Sequence, residues 1–166
     1  MDAEWSAVSS GRSGSAGIVH GVQRADGGLV RRQSPQEKAW LRELGVQLDR
    51  LPEDWDELLT DDDALTTLVV EVAAALVEAG LPVHDCAGSG TAGGVCLTPG
   101  PSYGGVLVSW HQHERMTSEA SRAPAATAVQ ATMTAAIAEL LTDLGFEQEP
   151  FGTDGCLLVT DLLGGR

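Results

Sequence analysis

Two short clusters in this chain carry side chains able to ligate metals or act as nucleophiles. They are His84-Asp-Cys86 and His111-Gln-His113, with Cys96 between them. Imidazole and thiolate are the preferred ligands of zinc. A spacing of two puts both members of a pair on one face of a strand. Two neighbouring strands with matching faces would therefore bring His84, Cys86, His111 and His113 around one ion. Such a chain would be a zinc-binding protein or, with an open coordination position and a base, a small zinc-dependent enzyme. Glu114 and Asp85 are adjacent in sequence but alternate onto the opposite faces. The spacing also differs from the short runs that separate paired cysteines in structural zinc sites. The plainer assignment is of exposed strand histidines and buried apolar cysteines. No G-x-S-x-G nucleophile elbow occurs. The sequence therefore leans away from an enzyme, and no catalytic residue and no resident cofactor are expected, with zinc as the alternative.

Gly88, Gly90 and Gly93 match G-x-G-x-x-G, and Val95 extends the match to the kinase-type glycine loop. A dinucleotide fingerprint leads from a strand into a helix. Here the loop leads into an apolar strand, Val95-Cys-Leu-Thr98. The kinase pattern also requires a following lysine, an H-R-D loop and a D-F-G, and none is present. These glycines read as a hairpin loop.

A third candidate is acidic. Trp55, Leu58 and Leu59 fall at helical spacing inside Glu53–Asp63, ahead of Asp61, Asp62 and Asp63. The structural assignment is a short helix followed by a carboxylate cluster at the start of the next one, where carboxylates are favourable. The functional assignment is an acidic-aromatic docking motif, with Trp55, Leu58, Leu59, Asp61, Asp62 and Asp63 as partner-binding residues.

The elements that must position these groups follow from periodicity and punctuation. Ser34-Pro-Gln-Glu37 is a capping box with proline at the first helical position. A helix follows to about Leu48, with Ala39, Trp40, Leu44 and Leu48 as its buried stripe. Leu65, Leu68, Val69, Val72, Leu76 and Val77 mark another, capped by Asp62 or Asp63 and stopped at Gly80-Leu-Pro82. Pro82–Cys86 reads as a strand. Gly104–His113 reads as the central strand, with Val106, Val108 and Trp110 toward a core and Leu107, Ser109, His111 and His113 toward a partly wet face. Pro124 opens a long helix to Leu144, with Val129, Met133, Ile137, Leu140, Leu141 and Leu144 inward and an alanine-rich side outward. Phe146–Phe151 and Gly155–Thr160 form a closing hairpin. The expected fold is α+β, an antiparallel sheet of about five strands covered by two long helices, in the order α-α-α-β-β-β-α-β-β.

Composition sets the outer bounds. The chain has 166 residues, 43% of them hydrophobic, which suits one domain with a sizeable core. The Ser-, Gly- and Arg-rich residues 1–33 read as a disordered tail, leaving 34–166 as a single domain. Ten basic residues against 24 acidic give a net charge of −14. That disfavours direct nucleic-acid binding, which needs a cationic surface. Neither an apolar span nor a signal peptide is visible, and three sparse cysteines suit reduced thiols, so a cytoplasmic location is expected. Arginine-dominated basic residues and heavy Ala, Gly, Val and Asp usage suggest a high-GC bacterial genome.

Over residues 62–162, the element order and acidity resemble those of class I type III secretion chaperones, which run α-β-β-β-α-β-β-α. The final helix of that fold has no counterpart here. The resemblance implies a small acidic dimer that holds unfolded partner segments. The expected function is accordingly a non-catalytic protein-binding or regulatory role, adaptor- or chaperone-like, with a protein partner and a homodimer as compatible assemblies. Besides zinc binding, an acidic decoy imitating DNA toward a DNA-binding protein is a further alternative.

Overall fold

The computed structural model describes residues 21–23, 29–31, 33–52, 55, 57, 59–60, 63–86, 88, 91–118 and 122–162. The chain divides into two units, residues 1–43 and 44–166. In the first, strands β1 (Gly21–Gln23) and β2 (Leu29–Arg31) pair antiparallel with Val22 opposite Val30. This small hairpin lies within the stretch expected to be a tail; the other residues of that stretch, Gln33 apart, lie outside those described. Helix α1 (Pro35–Leu48) begins at the capping box. The Ser34 amide donates to Glu37 Oε2 at 2.6 Å, and the Glu37 amide donates to Ser34 Oγ at 3.0 Å, so two amides with no helical partner are satisfied reciprocally. Of the expected stripe on α1, Leu44 is buried, Trp40 and Leu48 are half-buried and Ala39 is exposed.

The second unit holds the core. Helix α2 (Ala64–Glu78) is capped by Asp63, whose Oδ1 accepts from the Leu65 amide at 2.8 Å. It ends as its sequence dictates. Gly80 takes φ +84°, the Leu81 amide donates to the Leu76 carbonyl and the Gly80 amide to that of Val77, closing a Schellman motif that only glycine enters without strain. Strands β3 (Gly94–Gly100), β4 (Gly105–His111), β5 (Phe146–Phe151) and β6 (Cys156–Leu162) form one antiparallel sheet in the order β3-β4-β6-β5. A short helix α3 (Glu114–Thr117) and a long α4 (Ala123–Asp143) connect β4 to β5. The protein is α+β, as the alternation of periods predicts.

Register divides the sheet into two faces. Val95 pairs with Trp110, Leu97 with Val108, Val108 with Leu157 and Val106 with Val159. Five of these, Val95, Leu97, Val106, Val108 and Val159, are essentially without solvent contact, and Leu157 is buried. Helix α2 packs on β3, β4 and β6, and α4 on β4 and β5. The opposite face carries Cys96, Leu107, Ser109 and Cys156 half-buried, with Thr98 and His111 exposed. Val106 and Val108 thus face the core and Leu107, Ser109 and His111 the other side, as expected, whereas Trp110 is only half-buried and the strand ends before His113. Gly105 is required here because a Cβ would collide with the Val159 carbonyl oxygen on β6.

Three expectations need correction. The sheet has four strands, because Pro82–Cys86 makes only one bridge, Val83 parallel to Val95. The His84 amide donates to the Val95 carbonyl at 2.8 Å and the Val95 amide to that of Pro82 at 2.9 Å. The outward backbone groups of Val83 find side chains from the end of α1 instead of another strand. Its amide donates to Gln47 Oε1 at 3.0 Å, and its carbonyl accepts from Arg50 Nη1 at 3.1 Å. The segment therefore seals the free edge of β3.

The expected helix around Trp55 is not seen among the described residues. Trp55 and Glu57 lie in turns, with the Trp55 amide on the Pro52 carbonyl at 3.1 Å. Finally, the inward stripe of α4 is shorter than expected. Ile137 and Leu141 are buried and Met133 and Leu140 half-buried, whereas Val129 and Leu144 are exposed. Among the described residues, no helix is long and apolar enough to cross a membrane.

Candidate functional site

The His/Cys residues come together as two pairs. Gly94 makes the first possible. A Cβ at this position would lie 2.7 Å from the Pro82 carbonyl oxygen and 2.9 Å from the His84 amide nitrogen. Only glycine lets the 82–84 backbone cross β3 so closely. Because Gly94 pairs with His111, the crossing carries the His84 ring onto the His111 ring. The two stack with centroids 3.9 Å apart and planes 25° from parallel. His84 is buried and its Nδ1 is 2.9 Å from the Ala92 carbonyl oxygen. The His111 pKa is lowered from its usual 6.5 by burial first and then by the charge His84 can carry. Lone pairs lie in the plane of each ring, so stacked imidazoles aim their nitrogens in parallel and not at a common point.

The second pair is Cys86 and Cys96, whose Sγ atoms are 3.4 Å apart. The Cys86 amide is held by the Arg50 carbonyl at 2.8 Å, which fixes the segment where its thiol meets β3. Cys86 is exposed; Cys96 is half-buried, and its thiol is pushed up to about 12 by burial and then by the adjacent Cys86. All three cysteines are free thiols.

His113 departs from the expected arrangement. The strand ends at His111, and His113 caps α3, its Nδ1 accepting from the Arg115 amide at 3.1 Å. Among the described residues, no three His, Cys, Asp or Glu side chains form a metal-binding group. The Asp85 carboxylate is also otherwise engaged. Asp85 Oδ1 accepts from the Gly88 amide at 2.6 Å, and the Glu114 amide donates to the Thr91 carbonyl. Gly93, read as part of a hairpin loop, has a packing reason too: a Cβ there would sit 2.9 Å from the His113 amide nitrogen.

In the acidic segment, Asp63 performs the capping role and Trp55 and Leu59 are half-buried. Leu58, Asp61 and Asp62 lie outside the described residues.

One further surface feature was legible only as an alanine-rich helix side. A groove of about 790 Å³ runs between α4 and the β5–β6 turn. Ala126, Ala131, Ala135 and Ala138 form its helix wall, and Pro150 and Leu157 are on the opposite side. Two glutamines fasten α4 to the end of β4. Gln130 Nε2 donates to the Trp110 carbonyl at 3.0 Å, and Gln112 Nε2 donates to the Ala126 carbonyl at 2.6 Å. Among the described residues, nothing donates a hydrogen bond to the buried Gln112 Oε1. Cys156, also in the lining, has its pKa raised by burial, so it stays a protonated thiol and a poor nucleophile.

The groove and the paired His and Cys side chains thus belong to a small α+β protein built on a four-stranded antiparallel sheet. Comparison with protein-family models, with characterised proteins and with solved structures finds no match.

Proposed function

We propose that the protein is a non-catalytic protein-binding module whose docking surface is the outward side of α4 together with the groove beside it. One observation carries this reading: from Ala123 to Ala138 the helix has no charged residue, yet none of its side chains except Ile137 is fully buried. A helix face that meets only water ordinarily carries Lys and Glu. Here Ala125, Ala128, Val129, Ala135 and Ala136 are exposed instead. This surface continues past the groove, so it exceeds what a small ligand covers and suits a polypeptide. Small side chains let a partner backbone approach closely. With a chain charge of −14, a partner with basic flanks is steered toward the molecule.

The test is a quantitative pull-down from the native cells with three baits: the natural chain, Ala135→Glu, and Thr98→Glu on the far sheet face. The proposal expects a protein retained by the natural chain and by Thr98→Glu, and lost with Ala135→Glu. Identical captures by all three would overturn it.

A further inference from the structure

The thiol pair at the edge of β3 has the geometry of a reversible covalent site. A disulfide requires the two sulfurs at about 2 Å with Cα atoms roughly 4–7 Å apart. Cys86 and Cys96 Sγ already lie 3.4 Å from one another, so closure is a matter of side-chain adjustment. The backbone around them is tied on both sides. Val83 and Cys86 are held by Gln47 and Arg50, and Pro82 and His84 by Val95, the residue next to Cys96. The stacking of His84 on His111 anchors the same segment through its side chain.

We propose that Cys86 and Cys96 are a redox-modification site that a hydroperoxide converts to an intrachain disulfide. Exposed Cys86 is the sulfur that meets the oxidant. Its thiolate attacks one oxygen of hydrogen peroxide, the O–O bond breaks, and the departing hydroxide takes up the proton the thiol released, giving Cys86 sulfenic acid and one water. The Cys96 sulfur then attacks the Cys86 sulfur. The S–O bond breaks, the sulfenic oxygen leaves as a second water with the Cys96 proton, and the S–S bond forms. Two thiols and one peroxide give one disulfide and two waters; the sulfurs lose the two electrons the peroxide gains. Half-buried Cys96 suits the resolving role, because burial shields it from the oxidant while its sulfur lies 3.4 Å from that of Cys86.

Cys156 is an internal control. Ser109 pairs with Cys96, and Cys156 follows one step beyond the Leu157–Val108 pair on β6. Cys96 and Cys156 therefore share a cross-strand row with all of β4 between them, a backbone separation of about 10 Å that no disulfide spans. The bond between Cys86 and Cys96 would fasten the 82–86 segment to β3 and close the loop through residue 91 into a covalent ring.

The experiment treats the full reduced chain with hydrogen peroxide, then alkylates, digests without reductant and maps the peptides by mass. The expected result is a linked Cys86–Cys96 peptide lacking two hydrogens, restored by dithiothreitol, unchanged in Cys156→Ser and abolished in Cys86→Ser. In Cys86→Ser, whose altered residue is exposed, circular dichroism should match that of the natural chain. Any of three results would overturn the proposal: both thiols left alkylated after peroxide, a bridge that includes Cys156, or oxidation that stops at a Cys86 sulfinic acid.

Discussion

Helices α2 and α4 are both rich in apolar residues, and they end in different situations. In α2, of 15 residues, Leu65, Leu68, Val69, Val72, Ala73 and Leu76 are all buried. In α4, of 21 residues, only Ile137 and Leu141 are. The difference lies in side-chain size and not in polarity. α2 places large branched residues in a broad stripe that fills the space above β3, β4 and β6. α4 concentrates its large residues in its last two turns and supplies alanine and threonine before them. Burial of a large apolar side chain contributes about 1.5–3 kcal/mol, and alanine much less. The N-terminal half of α4 is therefore held mainly by Gln112 and Gln130, and among the described residues it leaves an apolar surface exposed.

The contrast predicts a graded set of responses. Leu76→Ala in α2 should be the most damaging, costing about 2–5 kcal/mol of stability as a lower urea midpoint, since Leu76 has no solvent contact and leaves a cavity. An effect below about 1 kcal/mol would mean that α2 is not the packed helix described. Gly105→Ala should cost about 1–3 kcal/mol in the same assay, because its Cβ meets Val159 across the β4–β6 ladder that α2 rests on. Asp63→Ala removes the cap of α2 and should cost about 1 kcal/mol. By contrast, Ala135→Glu on α4 should change stability by under about 0.5 kcal/mol while abolishing partner retention. A large loss of stability there would show that this side of α4 is structural.

The smallest effect concerns pH. The folded pKa of His111 is depressed below 6.5 by burial and by His84, so the unfolded chain takes up a proton first. The contribution is intact above pH 6.5 and is lost as pH falls from 6.5 through the lower folded value, beyond which the deficit stays constant. His111→Gln should flatten that part of a stability-against-pH curve. An unchanged slope would remove the His84–His111 contact from the account.

Much of the fold was legible because its signals are local. The Ser34–Glu37 capping box, the Asp63 cap, the Gly80 stop, the alternation of β4 and the closing hairpin all follow from neighbouring residues. What was not legible depends on partners distant in sequence. Nothing near Pro82–Cys86 announces that Gln47 and Arg50 will occupy the hydrogen-bonding groups of Val83 and leave a bridge where a strand was expected. The metal reading paired His84 with Cys86 and His111 with His113 by spacing, whereas contact pairs His84 with His111 and Cys86 with Cys96. The signal for that exchange was Gly94, whose missing side chain lets the chain cross there. For α4, the 3.6-residue period correctly marks Ile137 and Leu141 but extends the stripe to Val129, where no side of the sheet meets it. The resemblance in element order to the secretion chaperones rests on the same local signals, and the structure supplies four of the five expected strands.

The central claim is that the outward side of α4 is covered by another polypeptide. It is tested most directly by placing a photo-crosslinking amino acid at position 131 of the full chain, in the cells that make it, and illuminating. The account predicts a discrete crosslinked species whose mass identifies a second protein or a second copy of this chain, absent when Ala135→Glu is also present. Only the free chain at position 131, with no adduct above that seen from position 98, would contradict it.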